Sequence, residues 1–290
     1  MICERKTTNM DGIVLIDKKE KITTTDCDYK CKRTFNTSKV GHAGTLDPFA
    51  TGLVICGINK GTKLLSYLEN EIKSYRATLK LGIKTDSGDL DGESIEEKEP
   101  SKHTEQEILD VLNSLIGKQK QIPPMYSALK LNGKPLYKYA RQGIEVERKE
   151  REIEIYSLKL ISYTDNLIIF DAVVSKGTYI RTLGETVAEK LNEVGHLIAL
   201  RRLSVGNISV EKACPFDELS QDKIISLKDA FPGKKIIVKN ELFKKAINGA
   251  KLELDEKEDL IFLLDENEKE IAIYKRDGET NTFRCEKGFM

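Results

Sequence analysis

The chain has 290 residues, of which 39% are hydrophobic and 32% are charged, and its formal net charge at pH 7 is zero. This length and composition predict a folded protein with one large domain and a small second one, and they exclude a largely disordered chain. No apolar run approaches the roughly 20 residues that span a bilayer. The first apolar run, residues 13–16, is too short for a signal peptide. We therefore expect a cytoplasmic protein.

The sequence carries no metal-binding or nucleotide-binding pattern. The six cysteines are scattered without a CxxC pair, and they are Cys3, Cys27, Cys31, Cys56, Cys214 and Cys285. This spacing predicts small buried thiols in a reducing compartment rather than a zinc site or a disulfide framework. The three histidines are far apart, and no HExxH motif occurs. The patterns GxxxxGKS/T and GxGxxG are missing from the Gly-rich region 41–62, so neither a metal nor ATP or NAD is expected.

Charge is distributed unevenly along the chain. Residues 118–151 carry nine Lys or Arg side chains against three acidic ones, whereas residues 251–270 carry three against nine. A neutral chain can therefore contain a basic surface of the kind that contacts phosphates. From charge alone, an ordinary solvated surface is the favoured interpretation.

The first predicted elements surround a glycine-rich loop. A strand is predicted at residues 12–17, and a helix follows from residue 24 or 25 to about residue 35. The run GHAGTLDPFATG at 41–52 has three glycines and a proline, which predict an irregular loop, and the apolar residues 53–58 predict the next strand. Asp47 is therefore expected on a loop between two ordered elements.

A half-buried strand and a capped helix are predicted next. Apolar and polar residues alternate from 75 to 83, which is the period of a strand with one buried face. Thr104 and Glu107 form a capping box before an apolar stripe at helical spacing, and Gly117 ends that helix. An acidic turn is predicted at 86–93. Residues 87–98 partly resemble a calcium loop, but Lys98 stands where the bidentate Glu is required.

The middle of the chain combines an irregular basic segment with regular elements. Residues 121–152 are rich in Pro, Gly and Lys and show no period, and long irregular segments inside a compact domain are typically functional. Two strands are predicted at 153–161 and 167–175. They are followed by a helix with apolar residues from 180 to 191 and with Arg181 in its first turn.

The composition changes after Pro215 and Pro232. One helix is predicted at 241–248, before a glycine. Four short strands are predicted at about 236–238, 260–264, 271–274 and 282–285. This pattern predicts a small, mostly β second domain from about residue 233.

Few residues suggest chemistry by themselves. Asp47 lies near His42 and Thr45 in the glycine-rich loop, and Arg181 follows a Gly-Thr-Tyr run. An Asp before a Pro is common in turns and at helix N-termini, so composition alone favours a structural role for Asp47.

Six sequence blocks carry more information than composition. They are GHAGTLDPFATG, KSYRATLKLG, TDSGDLDG, IPPMYSALK with LYKYARQG, VSKGTYIRTLG and ALRRLSVG. Their order and spacing resemble the TruB-type tRNA pseudouridine synthases, which modify uridine 55 in the T-loop, and the match spans residues 11–206, about two thirds of the chain. The resemblance implies an α+β pseudouridine synthase fold with a central mixed, mainly antiparallel sheet and flanking helices. It further implies a catalytic domain at 1–232 and a small, mostly β, PUA-like RNA-binding domain at 233–290.

The resemblance implies three catalytic residues. Asp47 matches the catalytic carboxylate, Arg181 the Arg paired with it, and Tyr75 the aromatic residue that stacks on the target base. The Tyr75 hydroxyl can also approach the C5 proton. The reaction cleaves the N1 to C1′ bond and rejoins the base through C5. It requires a carboxylate nucleophile, a dry pocket and a base for the C5 proton, but no cofactor or metal. A nearby Arg favours the ionised carboxylate. Whether Asp47 attacks C1′ or C6 stays open, and spacing alone would favour a core position for Tyr75.

The same resemblance implies an RNA-binding set. Its members are His42, Leu200, Lys19, Tyr179, Lys130, Lys134, Lys138 and Arg141. His42 matches the residue that fills the space vacated by the flipped nucleotide, and Leu200 matches a pocket residue, with Leu203 as the alternative. The basic segment 122–150 matches the family's mobile thumb and carries the phosphate candidates. Extruding the base costs on the order of a few kcal/mol, which stacking on an aromatic side chain offsets.

Two features depart from the family pattern. The family's Lys-Pro-x-Gly turn is replaced by Lys18-Lys19-Glu20-Lys21, so Lys18, Lys19 and Lys21 compete for the place of the family's lysine. The C-terminal part is acidic, and its contact with a tRNA acceptor stem follows from the PUA-like resemblance alone. The expected partner is the T-loop and T-stem of a tRNA, bound by a monomer, with no membrane and no metal.

Two other functions compete with this interpretation. An RNA-binding protein that helps tRNA to fold would need the basic surface, but it would not need Asp47, Tyr75 and Arg181 together. A nucleoside hydrolase or glycosidase normally has two carboxylates about the scissile bond.

Overall fold

A computed structural model describes residues 10–290 of the chain, and Cys3 lies outside this range. Within the range, the strands in chain order are β1 (Gly12–Lys18), β2 (Val40–Ala43), β3 (Thr51–Ile58), β4 (Lys73–Leu81), β5 (Ile83–Thr85), β6 (Ser94–Glu97), β7 (Gly117–Gln121), β8 (Lys130–Leu131), β9 (Lys134–Pro135), β10 (Arg151–Thr164), β11 (Leu167–Val174), β12 (Gly195–Val205), β13 (Ile208–Ser209), β14 (Cys214–Pro215), β15 (Lys234–Ile237), β16 (Leu252–Glu253), β17 (Leu260–Leu264), β18 (Glu270–Arg276) and β19 (Thr282–Gly288). The α-helices are α1 (Thr24–Thr34), α2 (Leu65–Glu69), α3 (Glu105–Ser114), α4 (Leu136–Ala140), α5 (Ile180–Lys190), α6 (Leu227–Ala230) and α7 (Asn240–Ile247).

Ten of these strands form one central sheet. Its hydrogen-bonded order is β14-β1-β3-β12-β4-β11-β10-β7, with β2 on β3 and β13 on β12. The pairings β1–β14 and β3–β12 are parallel, and the other pairings in this sheet are antiparallel. The predicted α+β fold with a mixed, mainly antiparallel sheet is confirmed.

The main hydrophobic core lies between one face of this sheet and the helices α1, α3 and α5. Strand β4 shows how the sequence directs this packing, because its residues alternate between buried and more exposed positions from Lys73 to Leu81. The predicted strand 75–83 ends at Leu81, since Gly82 has a φ of +100° that interrupts the extended backbone. Thr104 caps α3 in a capping box with Glu107, as predicted.

Three expectations about local structure need correction. Residues 41–43 were expected in an irregular loop but belong to β2, because they pair with β3 in an antiparallel ladder. Strand β12 was not predicted, since its two consecutive arginines disrupt the apolar alternation; its pairing with β4 and β3 forms it. The irregular segment 122–150 contains the β8–β9 hairpin and the short helix α4.

A second sheet forms the C-terminal part of the chain. Its strand order is β15-β17-β18-β19-β16, so the mostly β character of this part is confirmed. The second sheet is not separate from the first, because Phe262, Ile273 and Phe289 join a core cluster with Ile13 and Leu15 of β1. In the part of the chain that the structure describes, no helix is both long and apolar enough to cross a membrane.

Candidate active site

A cleft of about 580 Å³ opens beside β4, β12 and the N-terminal end of α5. Residues from several distant parts of the chain line it, among them Asp47, Tyr75, Ser127, Tyr179, Arg181 and Leu200. The three side chains that the sequence nominated for catalysis therefore face one cleft, next to the segment 122–150. Their roles in a reaction remain predictions.

Asp47 lies in the loop between β2 and β3. The loop contains a turn in which the Ala50 N–H donates to the Asp47 carbonyl at 3.1 Å. Gly52 has a φ of +100°, and a Cβ at this position would lie 2.3 Å from the Arg202 carbonyl oxygen. A larger residue cannot occupy position 52 without moving β12, so the close contact of β3 and β12 determines where the loop ends.

The Asp47 carboxylate forms a bidentate pair with Arg181. Its Oδ2 lies 2.9 Å from Arg181 Nε, and its Oδ1 accepts from Nη2 at 3.2 Å. The Arg181 side chain is 3% exposed and the Asp47 side chain is 33% exposed. A two-point contact of this kind fixes the plane of the carboxylate. The buried Arg181 side chain therefore holds Asp47 in one orientation at the cleft.

Three further groups hold Arg181 in place. Its Nη1 donates to the Ser87 carbonyl at 2.6 Å and lies 3.3 Å from Asp89 Oδ2. Its Nη2 donates to the Tyr126 carbonyl at 2.6 Å. A buried guanidinium needs acceptors around its whole edge, and these contacts supply them. Arg181 therefore links the Asp47 loop to the acidic turn and to the segment 122–150.

Asp89 is a site residue that the sequence did not predict. It is 5% exposed and accepts from Ser87 Oγ at 2.6 Å and from the Asp91 N–H at 3.1 Å. Burial raises the pKa of its carboxyl, while the Ser87 hydrogen bond and the charge of Arg181 oppose this shift. In the sequence, Asp89 is one of several acidic residues in a turn. The TDSGDLDG block is the only sequence signal that distinguishes this turn. Among residues 10–290, no group of three or more His, Cys, Asp or Glu side chains is arranged to hold a metal ion.

Tyr75 and Leu200 line the cleft from the adjacent strands β4 and β12. They are 7% and 6% exposed, respectively. Burial raises the pKa of the Tyr75 hydroxyl, and the nearby Arg202 opposes this shift. The phenol is consequently neutral at pH 7 and offers an apolar ring with one O–H donor. Leu203, the alternative to Leu200, is not among the residues that line the cleft.

Lys18 anchors the loop that carries Asp47. Its Nζ donates to the Ile22 carbonyl at 2.7 Å and to the Pro48 carbonyl at 3.1 Å. The side chain is buried, and this burial lowers the pKa of its ammonium group to about 8. Because Pro48 follows Asp47 directly, Lys18 ties the end of β1 to the loop.

Lys19 and Lys21 do not reach the cleft. Lys19 is exposed and pairs with Asp217 at 2.6 Å, outside the cleft lining. Lys21 has a φ of +64°, the backbone conformation that favours glycine, at the position of the Gly in the Lys-Pro-x-Gly pattern. This backbone match aligns Lys18 with the pattern's lysine, whereas the sequence alone led us to nominate Lys19.

Two buried cations add positive charge to the cleft wall. Lys73 is 7% exposed, and its Nζ donates to the carbonyls of Glu69 and Glu71 at 2.7 and 3.0 Å. Burial lowers the pKa of Lys73 to about 8. Arg202 is 1% exposed and donates from Nε to the Leu53 carbonyl at 2.7 Å. Carbonyl oxygens orient these cations but do not neutralise them, so the cleft wall attracts anions.

His42 and Tyr179 occupy different places relative to the cleft. His42 lies on β2 with its Nδ1 2.8 Å from Asp28 Oδ2, and it is not among the lining residues. Tyr179 lines the cleft directly before α5. The Gln121 side chain accepts from the Tyr179 N–H at 2.8 Å and donates to its carbonyl at 3.1 Å, which fixes the start of the helix that carries Arg181.

The basic segment 122–150 borders the cleft without filling it. Its four nominated cations lie on the β8–β9 hairpin, on α4 and just after α4; they are Lys130, Lys134, Lys138 and Arg141. Lys134 Nζ lies 4.2 Å from the ring centroid of Tyr139, and Arg141 lies 5.5 Å from that of Tyr137. These cations are outside the cleft lining, whereas Ala128 of the same segment is part of it.

The cleft rim carries two exposed cations that the sequence did not nominate. They are Arg151, at the start of β10, and Lys176, in the turn after β11. Lys176 belongs to the VSKGTYIRTLG block, so its block membership was the available signal. Arg151 had no comparable signal beyond its place in the basic region.

Comparisons with known proteins identify relatives of this chain. The model of the TruB family pseudouridylate synthases (N terminal domain) matches residues 32–180, about half of the chain. The tRNA pseudouridine synthase B of Mesoplasma florum is 39% identical over 282 residues, which cover 97% of this chain and 98% of the relative. That of Bordetella avium is 44% identical over 221 residues, which cover 75% of this chain and 90% of the relative.

Solved structures show the same fold at lower sequence identity. A Cbf5-Nop10-Gar1 complex matches with a TM-score of 0.71 and 20% identity, and the match covers 96% of this chain and 85% of that chain. An H/ACA RNP bound to a substrate RNA containing 2′-deoxyuridine matches with a TM-score of 0.69 and 20% identity, again covering 96% of this chain and 85% of that chain. At this identity the likeness concerns the fold alone. The family model and the curated relatives together show that the chain belongs to the TruB family of pseudouridylate synthases.

Proposed function

We propose that this chain is a tRNA pseudouridine-55 synthase, an isomerase that converts the uridine at position 55 in the T-loop of tRNA to pseudouridine. The observation that carries the proposal is the Asp47 carboxylate, held at two points by the buried Arg181 in a cleft beside Tyr75. A rigidly held carboxylate at the wall of a covered cleft suits a nucleophile that acts on one nucleotide. The relatives named tRNA pseudouridine synthase B support tRNA as the substrate class.

In the proposed reaction, the target base leaves the T-loop stack and enters the cleft. Tyr75 stacks on the base and Leu200 packs against it, which offsets the cost of unstacking. Burial raises the pKa of the Tyr75 hydroxyl, and this favours stacking over proton abstraction as its role at neutral pH. His42 is proposed to fill the space that the base leaves in the RNA.

Asp47 then acts as the nucleophile, at C1′ or at C6. The N1 to C1′ bond breaks, the base turns, and a C5 to C1′ bond forms. The C5 proton leaves and N1 takes up a proton, so atoms balance and Asp47 is regenerated. One C–N bond is exchanged for one C–C bond without net oxidation or reduction. We therefore propose that the reaction proceeds without a cofactor.

The RNA backbone is proposed to contact the cations around the cleft. The buried Lys73 and Arg202 line the cleft wall, and the exposed Arg151 and Lys176 line its rim. The nominated residues Lys130, Lys134, Lys138, Arg141 and Tyr179 extend this surface. The remaining nominated cation, Lys19, pairs with Asp217 outside the cleft lining. For a folded RNA, phosphate contacts and shape dominate recognition.

We further propose a catalytic domain at 1–232 and a PUA-like RNA-binding domain at 233–290, in a monomeric cytoplasmic enzyme. The five-stranded C-terminal sheet supports the second domain. The free thiols of Cys27, Cys31 and Cys56 support a reducing compartment.

The test is tritium release from tRNA that carries 5-³H-uridine. The wild-type chain is expected to release tritium, and Asp47→Asn is expected to reduce the rate by at least about a thousandfold, as loss of a catalytic nucleophile does. Asp171→Asn is the matched control, because Asp171 pairs with Arg76 at a similar distance of 2.8 Å outside the cleft. Release by both wild type and Asp47→Asn, or by neither, would contradict the proposal. Free uracil or ribose among the products would indicate a hydrolase instead.

A further inference from the structure

Asp28 and His42 form a hydrogen-bonded pair next to the loop that carries Asp47. Asp28 lies in the middle of α1, and its Oδ2 is 2.8 Å from Nδ1 of His42 on β2. The side chains of His42 and Asp28 are 19% and 14% exposed, respectively. A carboxylate covered to this extent is costly unless it is paired, and His42 supplies the pairing.

The surroundings of Asp28 direct both of its oxygens toward β2 and β3. Its Oδ1 lies 3.8 Å from Cys56 Sγ, and Cys56 is the partner of His42 in the β2–β3 ladder. The neighbouring helix residues Cys27 and Cys31 are fully buried against the same strands. Asp28 is therefore a polar group on the packed face of α1 and not a solvated surface charge.

The hydrogen bond at Nδ1 determines how His42 presents its other nitrogen. In a neutral ring, an Nδ1–H that donates to a carboxylate leaves Nε2 as an acceptor. Nε2 lies 3.5 Å from Oγ1 of Thr45. Thr45 is exposed, lines the cleft and stands two residues before Asp47 in the chain. The Nε2 edge of the imidazole consequently faces the entrance of the cleft.

We propose that Asp28 is a positioning residue that fixes the ring plane and the Nδ1–H tautomer of His42, so that the Nε2 edge meets the RNA at the cleft entrance. This inference rests on the proposed function, in which His42 fills the space vacated by the target nucleotide. A ring that is oriented in advance loses less conformational freedom when the RNA binds. Asp28 therefore acts through His42, and its loss is expected to lower kcat/KM for tRNA.

A double-mutant cycle on pseudouridine formation tests this dependence. Asp28→Leu is expected to lower kcat/KM for tRNA about tenfold in the wild-type background and less than about twofold in the His42→Ala background, because the coupling is lost with the ring. Asp171→Leu, at a carboxylate outside the cleft, is the control and is expected to show no coupling to His42→Ala. Equal losses in both backgrounds, or no loss in the first, would overturn the proposal. If Asp28→Leu does not fold, Asp28→Ala takes its place in the same cycle, because Asp28→Asn would keep an oxygen that accepts from the Nδ1–H of His42.

The ring state of His42 gives a second readout that does not need activity. The chain has three histidines, so ¹⁵N signals of the imidazoles can be assigned by comparison with His42→Gln. At about pH 8, where an ordinary imidazole is neutral, the wild type is expected to hold His42 as the Nδ1–H tautomer. Asp28→Leu is expected to shift it toward Nε2–H, and the same tautomer in both proteins would refute the assignment. A chain that makes no pseudouridine would contradict the proposed function, while this spectrum would still decide the role of Asp28.

Discussion

Two Arg–Asp pairs, one in the cleft and one on the central sheet, share their chemistry but differ in their surroundings. Arg181 and Asp47 meet in the cleft, with a shortest contact of 2.9 Å. Arg76 and Asp171 lie on the neighbouring strands β4 and β11 and meet at 2.8 Å. The Arg181 side chain is 3% exposed, whereas that of Arg76 is 49% exposed. Arg76 follows Tyr75 in β4, so the two side chains point to opposite faces of the sheet.

The difference shows that the burial of the arginine, and not the presence of an Arg–Asp pair, distinguishes the candidate site. On the solvent face, water screens the charges, and such a pair contributes little to stability. In the cleft, Arg181 is enclosed by the Ser87 and Tyr126 carbonyls and by Asp89, so it cannot exchange its partners for water. Asp47 thereby acquires a fixed orientation, which the proposed role as a nucleophile requires.

The sharpest test of this comparison replaces each arginine in turn. Arg181→Met leaves Asp47 and Asp89 without their shared cation. We expect it to destabilise the fold by roughly 3–5 kcal/mol, the range for a broken buried pair. Pseudouridine formation should fall by at least about a thousandfold. Urea unfolding and single-turnover tritium release measure the two effects.

Arg76→Met is the matched control for that experiment, and its cost should stay below about 1 kcal/mol with activity retained. Similar losses of stability for both variants would show that burial does not distinguish the two pairs.

The second prediction concerns Asp89. Asp89→Asn keeps the shape of the side chain but removes one of the two carboxylates beside Arg181, so the charge balance around Asp47 changes. We expect kcat to fall about tenfold with little change in KM, since a group that acts on the transition state affects kcat. Burial raises the pKa of this carboxyl, so its removal also relieves a desolvation cost and the melting temperature should change little. Asp91→Asn, at an exposed position in the same turn, should behave as wild type; a tenfold loss there would contradict a specific role for Asp89.

The third prediction extends the comparison to RNA binding. Lys130→Ala with Lys138→Ala in the basic segment should weaken tRNA binding about fivefold and lower the slope of log K against log salt by about one per lysine. Lys159→Ala is the control, because Lys159 is exposed and pairs with Asp171 in the β10–β11 register, on the solvent face. Filter binding at several salt concentrations measures both slopes. A slope that changes only in the control would place the RNA on the opposite face.

The smallest expected effect is a pH dependence in the cleft. Burial lowers the pKa of Lys73 to about 8, so its positive charge is present below that pH and is lost as pH rises through it. The KM for tRNA should therefore rise about twofold between about pH 7 and pH 9, since one phosphate-attracting charge disappears. Lys73→Arg keeps its charge over this interval and should abolish the rise. Parallel KM profiles for both proteins would exclude Lys73 as the titrating group.

Local sequence signals predicted many elements correctly. The capping box at Thr104, the alternation along β4 and the apolar positions of α5 are set by contacts within a few residues, so they can be read without the fold. The C-terminal strands were found for the same reason. Strand β12 was missed because its residues become a strand only when β3 and β4 pair with it on both sides.

The same distinction between local and tertiary signals applies to the residues of the candidate site. The sequence by itself nominated Asp47, Tyr75 and Arg181, because each stands in a block that resembles one family. Only the tertiary structure decided that Asp89 shares Arg181 with Asp47, that Lys18 and not Lys19 supports the loop, and that Asp28 holds His42. The physical reason is separation along the chain: Arg181 and Asp47 are 134 residues apart. The energy of such a pair depends on burial, which exists only after the sheet and α5 have packed together.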